Sequence, residues 1–469
     1  MERHVIFNYF EEISKIPRGS KNEKAIREYL VKFAEDRGLE VYTDETYNVL
    51  IKKPAAEEYE DSGTIILQGH IDMVCEKNKE TKHDFEKDGI ELIYDGEFLK
   101  ANGTTLGADN GIAVAYALAI LDNDKLKHPA LEIFLTADEE TGMSGAENFD
   151  YNQLEGKTLI NMDSEEEGEI LVSCAGGVRK DYTVKIGEIE NKYKNSFKIE
   201  VGGLKGGHSG ADIHLDRGNA NKILLELLNV LDQNIEFSIS DIQGGSKDNA
   251  IPREAEVVIA TDENNIQEII KNEIVYYKEE FEGIIVSVEK NDRSNKVLDQ
   301  DSLKKVVSIG NGIFDGVYTM SESIKGLVES SNNLGIMRRD GDNIYFSNLT
   351  RSSSDEKMQE IKEMDMKIVE KYKVEIDFNS EYPAWEYKKD SKIREVFKNV
   401  YKDMYGKEPL VKAIHAGLEC GIFAGKMKDV DMVSFGPDMF DVHTPDEKLD
   451  IKSAVRMYEC LINVLENVK

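Results

Sequence analysis

The sequence predicts an α/β fold with a mixed sheet, split by an inserted α+β domain made of two similar halves. Three observations carry that expectation: apolar runs of strand length alternate with helical patterns from Ser20 to Met162, the chain changes character near Gly187, and the alternation resumes after Trp385. Single cores stop growing near about 250 to 300 residues, so a chain of 469 residues is expected to hold more than one. The expected boundaries are 1–186 and 383–469 for a discontinuous first domain and 187–382 for the insertion.

The first helix follows Ser20, a candidate N-cap, carries Ile26, Leu30 and Phe33 at helical spacing, and ends at Gly38. Residues 64–67 read as a strand, 112–121 as a helix, and 131–135 and 158–162 as strands, the order of a sheet with helices on its faces. Inside the insertion, a strand at 197–201 and a helix at 219–231 have a counterpart in a strand at 344–346 and a helix at 353–372. Met358, Ile361, Met364, Ile368 and Tyr372 share one face of that later helix, and Ser353 with Glu356 forms a capping box. Residues 432–435 read as a buried strand and 451–468 as a closing amphipathic helix.

Acidic residues number 91 against 59 basic ones, a formal charge of −32. Such a surface repels nucleic acid and anionic membranes, so neither is an expected partner; it favours solubility and concentrates divalent cations. With 40% apolar and 32% charged residues, the composition is that of a globular protein. Cys75, Cys174, Cys420 and Cys460 are scattered without a C-x-x-C pair, which argues against a disulfide framework and a thiolate zinc site and for a reducing compartment. The N-terminal segment around Glu11 and Glu12 lacks the basic and apolar regions of an export signal, and no run of 18 apolar residues occurs. The expected location is the cytoplasm.

Five segments outside the insertion end apolar runs with acidic residues or a histidine: LQGHIDMVCEK (His70, Asp72), TTLGADNGIA (Asp109), FLTADEETGMSGA (Glu139, Glu140), TLINMDSE (Asp163) and MVSFGPDMFDVHTPDE (His443). Three of them lie just beyond the carboxyl end of an expected strand, where open α/β sheets bind ligands. Two imidazoles and three carboxylates without a thiolate suit two divalent ions, with zinc the first choice and cobalt or manganese the alternatives. Two adjacent cations need a shared anion between them, and Asp109, on a turn entering a helix, is the candidate bridge. Positions two apart on a strand face the same side, so Asp72 is placed to reach His70 and fix its tautomer. Of the neighbours Glu139 and Glu140, one can face a metal while the other is free to act as a base.

These motifs, together with GGHSG, RSSSDEK, HAGLECG and HTPDE in the same order, closely resemble the aminoacyl-histidine dipeptidases, also called peptidase D or cytosol non-specific dipeptidases, within the larger family that includes carboxypeptidase G and aminoacylase. The resemblance covers nearly the whole chain, and its departures, such as Ile71 and Ala113, are apolar. It implies a di-zinc peptidase catalytic domain with one metal on His70, Asp109 and Asp163 and the other on Asp109, Glu140 and His443. It makes Glu139 the general base and Asp72 the residue that orients, and it suggests a cis Asp109–Asn110 peptide bond. The insertion then reads as a lid whose GGHSG segment supplies His208 for the oxyanion. Arg351 looks like the clamp for the substrate carboxylate, a role suited to a planar guanidinium, and Asn249 and Glu419 are further substrate contacts.

What the resemblance implies is hydrolysis of dipeptides with a free N-terminus, Xaa-His types such as carnosine among them, by a metal-bridging water. A tripeptidase or an N-acyl-amino-acid amidohydrolase of the same family is the alternative enzyme, and a non-catalytic metal-binding scaffold is the alternative of another class. Dipeptides are the expected partners. A homodimer stays open, since the doubled lid resembles what a second copy would supply.

Overall fold

The computed structural model describes residues 4–468 in two units: the second comprises 174–384 with 414–417, and the first the rest of the described chain. In the first unit an eight-stranded sheet runs in the order Glu40–Thr43, Val49–Lys53, Leu131–Thr136, Ile65–His70, Thr158–Asn161, Asp431–Ser434, Glu169–Cys174, Leu410–Ile414. The sheet is mixed. Ile65–His70 pairs in parallel with Leu131–Thr136 and with Thr158–Asn161, which in turn pairs in parallel with Asp431–Ser434. Val49–Lys53 and Glu169–Cys174 bound this parallel centre with antiparallel pairs.

Strands at the centre of a sheet are covered on both faces, which is why IILQGH, parallel to both neighbours, and LEIFLT beside it are buried throughout rather than alternating. The helix Ala108–Leu121 is apolar all round and lies in the core with the helix Val5–Ile13 against it. The latter, apolar at Ile6, Phe7, Phe10 and Ile13, was not expected from the sequence. The elements that were expected here fall within a few residues of expectation, with Lys24–Glu35 before Gly38, whose φ is +67°, and a closing helix at Ile451–Asn467 capped by Asp450, whereas Val49–Lys53, Glu169–Cys174 and Lys392–Tyr405 were not expected either.

The second unit carries an antiparallel nine-stranded sheet in the order Ile285–Lys290, Asn195–Gly202, Ala255–Thr261, Phe237–Gly244, Val328–Asp340, Asn343–Ser352, Gly176–Lys185, Glu375–Tyr382, with Gly316–Met320 also pairing on Val328–Asp340. Numbered by position within each half, the order is 4-1-3-2 followed by 2-3-1-4, so two βαββαβ halves meet across their second strands. The match of elements differs from the sequence reading. Asn343–Ser352 and the helix Asp355–Tyr372 correspond to Ala255–Thr261 and Lys271–Glu280, whereas Asn195–Gly202 and Ala220–Asn234 correspond to Gly176–Lys185 and Gln300–Gly312. Each half contains two strand–helix units of similar length, and local pattern cannot tell which belongs with which.

The unit begins at 174 rather than 187 because Gly176–Lys185 hydrogen-bonds to Asn343–Ser352 and Glu375–Tyr382 inside its sheet. The cap of Asp355–Tyr372 is Ser354, which accepts from the Lys357 amide, not Ser353. That helix also turns an acid inward: Asp365 accepts from Lys180 Nζ at 2.6 Å and Tyr182 Oη at 2.7 Å, and all three are buried.

Candidate metal centre

Strand ends and loops of the first unit bring six of the sequence-predicted residues together. His70 ends the strand Ile65–His70, and its Nδ1 lies 3.4 Å from Asp72 Oδ1. On the other side of the ring, Nε2 is 3.2 Å from Asp109 Oδ1 and 3.4 Å from Asp163 Oδ1. The second Asp109 oxygen faces the second imidazole: Oδ2 is 3.1 Å from His443 Nε2, which is also 3.1 Å from Glu140 Oε2. Ligand atoms of His70, Asp109 and Glu140 all lie within 4.8 Å of one another. Glu140 Oε1 is buried without a hydrogen-bond partner.

The backbone explains how Asp109 reaches both sides. Asp109 and Asn110 depart from helical φ/ψ at the head of Ala108–Leu121, and the peptide bond between them is cis, as the resemblance suggested. The Asn110 side chain accepts from the His70 amide at 3.1 Å and donates to Met162 O at 2.8 Å, tying the Asp109 segment to two strand ends. This approach needs Gly69, because a Cβ there would meet Asn110 Oδ1. Asp72, fully buried, accepts from Ser20 Oγ at 2.7 Å and from the amides of Glu139 and Glu140 at 3.1 and 3.3 Å. One carboxylate therefore holds an imidazole and the backbone of the adjacent acidic pair.

The charges are crowded. Burial alone would lower the His70 pKa, but Asp163, Asp109 and Asp72 drive it well above its ordinary value. Hydrogen bonds that His443 donates to the Asp109 and Glu140 carboxylates raise its pKa to about 11. Burial pushes Asp163 up to about 6 against the pull of His70. Burial also raises Glu139 well above the usual carboxylate range, with Asp163, Glu419 and Glu140 reinforcing it and His70 opposing. This pattern is that of an anionic cluster whose imidazoles act as its cations.

Sequence reasoning missed two side chains behind the cluster. Glu447 accepts from the amides of Leu106, Gly107 and Ala108 at 2.7, 3.0 and 2.8 Å. Arg18 is buried and donates to Ile71 O at 3.1 Å, Asp72 O at 3.0 Å and Gly107 O. Glu447 closes the HTPDE motif and was legible there as an acid without a role, whereas Arg18 in IPRGS gave no signal. Glu419 is buried at the head of Glu419–Lys426, where it accepts from Gln68 Nε2 at 2.6 Å and Thr136 Oγ1 at 2.8 Å. Burial lifts its pKa to about 8.

Three further candidates lie in the second unit. His208 is exposed, and its Nδ1 accepts from the amides of Gly210 and Ala211 at 3.3 and 3.1 Å. A neutral ring in that setting carries its proton on Nε2, and partial desolvation of the ring by surrounding atoms, with the nearby Arg351 charge, keeps its pKa low. Arg351 is buried in Asn343–Ser352, with Nη1 donating to Tyr382 Oη at 2.9 Å and Nε without a hydrogen-bond partner. Asn249 lends its backbone carbonyl to the Ser209 amide at 2.9 Å. His415, unassigned from the sequence, is buried with Nε2 2.7 Å from Ser331 Oγ.

A mixed α/β sheet with a histidine and carboxylate cluster beyond its strand ends defines the class: an α/β protein with the donors of a divalent-metal site. The chain belongs to peptidase family M20/M25/M40, whose model matches residues 66–467. It is 37% identical over 476 residues to the cytosol non-specific dipeptidase of Escherichia coli, covering 99% of this chain and 97% of that one. The crystal structure of aminoacylhistidine dipeptidase from Vibrio alginolyticus superposes with a TM-score of 0.95 at 37% identity, over 99% of this chain and 96% of that one. An aminopeptidase from Bacillus cereus shares the fold at 17% identity and a TM-score of 0.58, over 99% of this chain and 98% of that one.

Proposed function

We infer that the protein is a metal-dependent dipeptidase that cleaves dipeptides with a free N-terminus at a paired-metal centre. The observation that carries this reading is the two-faced carboxylate of Asp109: Oδ1 meets His70 and Oδ2 meets His443, and each imidazole meets one further carboxylate. The donor set fits divalent ions. Zinc bonds of about 2.0–2.1 Å place tetrahedral ligands about 3.3 Å apart, and the four contacts measure 3.1 to 3.4 Å. Nitrogen and carboxylate donors without thiolate suit zinc, with cobalt or manganese as alternatives.

His70, Asp109 and Asp163 would hold one ion, and Asp109, Glu140 and His443 the other. Bound there, such ions supply Lewis-acid polarisation of a peptide carbonyl and acidify a water toward a pKa of about 7. Glu139 takes the proton of the attacking water and returns it to the leaving amine. Asp72 fixes the His70 tautomer and the backbone from which Glu139 projects. The Nε2–H of His208 is a donor suited to a developing oxyanion, and the guanidinium of Arg351 to a terminal carboxylate, with Asn249 and Glu419 as further substrate-contact candidates.

Cytosolic placement rests on the name of the E. coli relative, and among the described residues no helix is long and apolar enough to cross a membrane. The test is release of free amino acids from a dipeptide, its N-acylated analogue and a tripeptide, each with and without chelator, alongside metal analysis. Chelator-sensitive cleavage of the free dipeptide with two ions per chain supports the reading. Preference for the acylated or longer substrate overturns it.

A further inference from the structure

The Gly107–Asp109 turn delivers the one carboxylate that faces both imidazoles, and two side chains remote in sequence grip it. Glu447, 2% exposed, sets both oxygens against four consecutive amides: Oε2 accepts from Leu106 at 2.7 Å and Gly107 at 3.0 Å, and Oε1 from Ala108 at 2.8 Å and Asp109 at 3.4 Å. Successive N–H groups turned toward one point form an anion cradle, and here the anion is a side chain of the protein itself. The opposite face of the turn is held by Arg18, which donates to Gly107 O and to the carbonyls of Ile71 and Asp72 in the His70 segment. Gly107, at φ +69°, leaves no room for a Cβ, which would lie 2.6 Å from Arg18 Nη2 and 2.7 Å from Met73 Sδ.

Glu447 also stands four positions after His443 in the same short loop, between Thr444 and the strand Lys448–Asp450; its amide donates to Thr444 O at 3.1 Å. A single carboxylate thus ties the segment carrying His443 to the segment carrying Asp109. His70, by contrast, is the last residue of one strand of the central sheet, and Asp163 lies two positions beyond another, so that sheet holds them.

We propose that Glu447 is a positioning residue for the His443 side of the centre, fixing Asp109 Oδ2 and His443 Nε2 at their mutual distance so that the ion shared by Asp109, Glu140 and His443 binds tightly. The proposal rests on the paired-metal reading above. Partners that orient metal ligands are typically worth about 10–100-fold in affinity, and the asymmetry of support assigns that loss to one ion of the two.

Metal-free wild type and Glu447→Gln are titrated with Zn2+ against a competing chromophoric chelator. Wild type takes two tight equivalents. Glu447→Gln keeps one at wild-type affinity and loses about 10–100-fold on the other. In a His443→Ala background, adding Glu447→Gln leaves the remaining site within about threefold, since the Asn110 side chain ties the shared Asp109 to the His70 amide and to Met162 O on that side. Because Glu447 touches neither substrate nor reacting atoms, raising free zinc restores kcat of Glu447→Gln toward wild type. Circular dichroism and thermal melting of the metal-free variants verify folding, and Glu447→Asp, which keeps the charge but shortens the reach, is read by the same titration if the glutamine variant does not fold.

Two equivalents at wild-type affinity in a folded variant overturn the proposal. So does an equal loss at both sites, a kcat that excess zinc does not restore, or failure of both variants to fold, which makes Glu447 a general scaffold residue. A wild type that takes a single equivalent sinks the paired-metal reading itself and this proposal with it, so the wild-type arm judges the one and the variant arms the other.

Discussion

Replacing Glu139 with glutamine separates its chemical role from its electrostatic cost. The side chain keeps its shape, and the amide of residue 139 still donates to Asp72 Oδ1, so the backbone that also carries Glu140 stays in place. General acid–base work contributes about 10²–10⁴ in rate, which is about 2.7 to 5.4 kcal/mol on the barrier. Turnover of Glu139→Gln should fall by that factor while metal content stays at the wild-type level.

Stability of the metal-free protein should move the other way. Burial next to Asp163, Glu419 and Glu140 raises the Glu139 pKa, so the fold disfavours the ionised carboxylate. For a folded pKa above the unfolded one, the stability present below the unfolded value is lost as pH rises toward the folded value. The gain from glutamine is therefore absent near pH 4, below the unfolded value of about 4.3, and grows as pH rises toward the folded value. Single stabilising substitutions commonly gain about 0.5–2 kcal/mol, a melting shift of a few degrees. Release of free amino acids from a dipeptide reads the first effect, and calorimetry of the metal-free proteins at pH 4.5 and pH 8 reads the second. Activity within a few-fold of wild type refutes the base assignment, and a metal-free variant less stable than wild type at pH 8 refutes the electrostatic argument.

Glu140→Gln and His443→Ala should each lose or weaken one ion, read as metal per chain after dialysis; two retained ions in both would mean that the ligand set is wrong. His208→Ala should fold, hold two ions and lose about 10²–10³ in kcat with little change in substrate affinity, the mark of a donor that acts once charge develops. Steady-state kinetics decide this, and a near-normal kcat makes the histidine structural. Lys180→Met leaves Asp365 buried without its cation, although Tyr182 still donates to it. Breaking a buried pair from one side costs about 3–5 kcal/mol, so the denaturant midpoint should drop steeply, and a loss under about 1 kcal/mol would contradict that account.

What the amino-acid sequence determined by itself is what local periodicity and spacing encode. Mostly apolar runs at 64–67 and 131–135 announced central strands, and the acids and histidines just beyond them announced where donors collect. The Glu139–Glu140 pair set two acids side by side, and the structure brings Glu140 Oε2 to 3.1 Å from His443 Nε2. The inward acid Asp365 escaped notice, because a single carboxylate on an otherwise amphipathic helix carries no period of its own. The pairing of the two insertion halves was misread for a related reason: strand–helix units of similar length look alike until hydrogen bonds order them in the sheet.

Only the tertiary structure decided which oxygen of Asp109 meets which imidazole, that Gly176–Lys185 joins the second sheet, and that Glu447 and Arg18 hold the turn between them. Glu447 and the amides it binds lie about 340 positions apart. No local pattern links them; chain reversals through the sheet bring them within hydrogen-bond distance, and the low dielectric of the buried site then makes that contact strong.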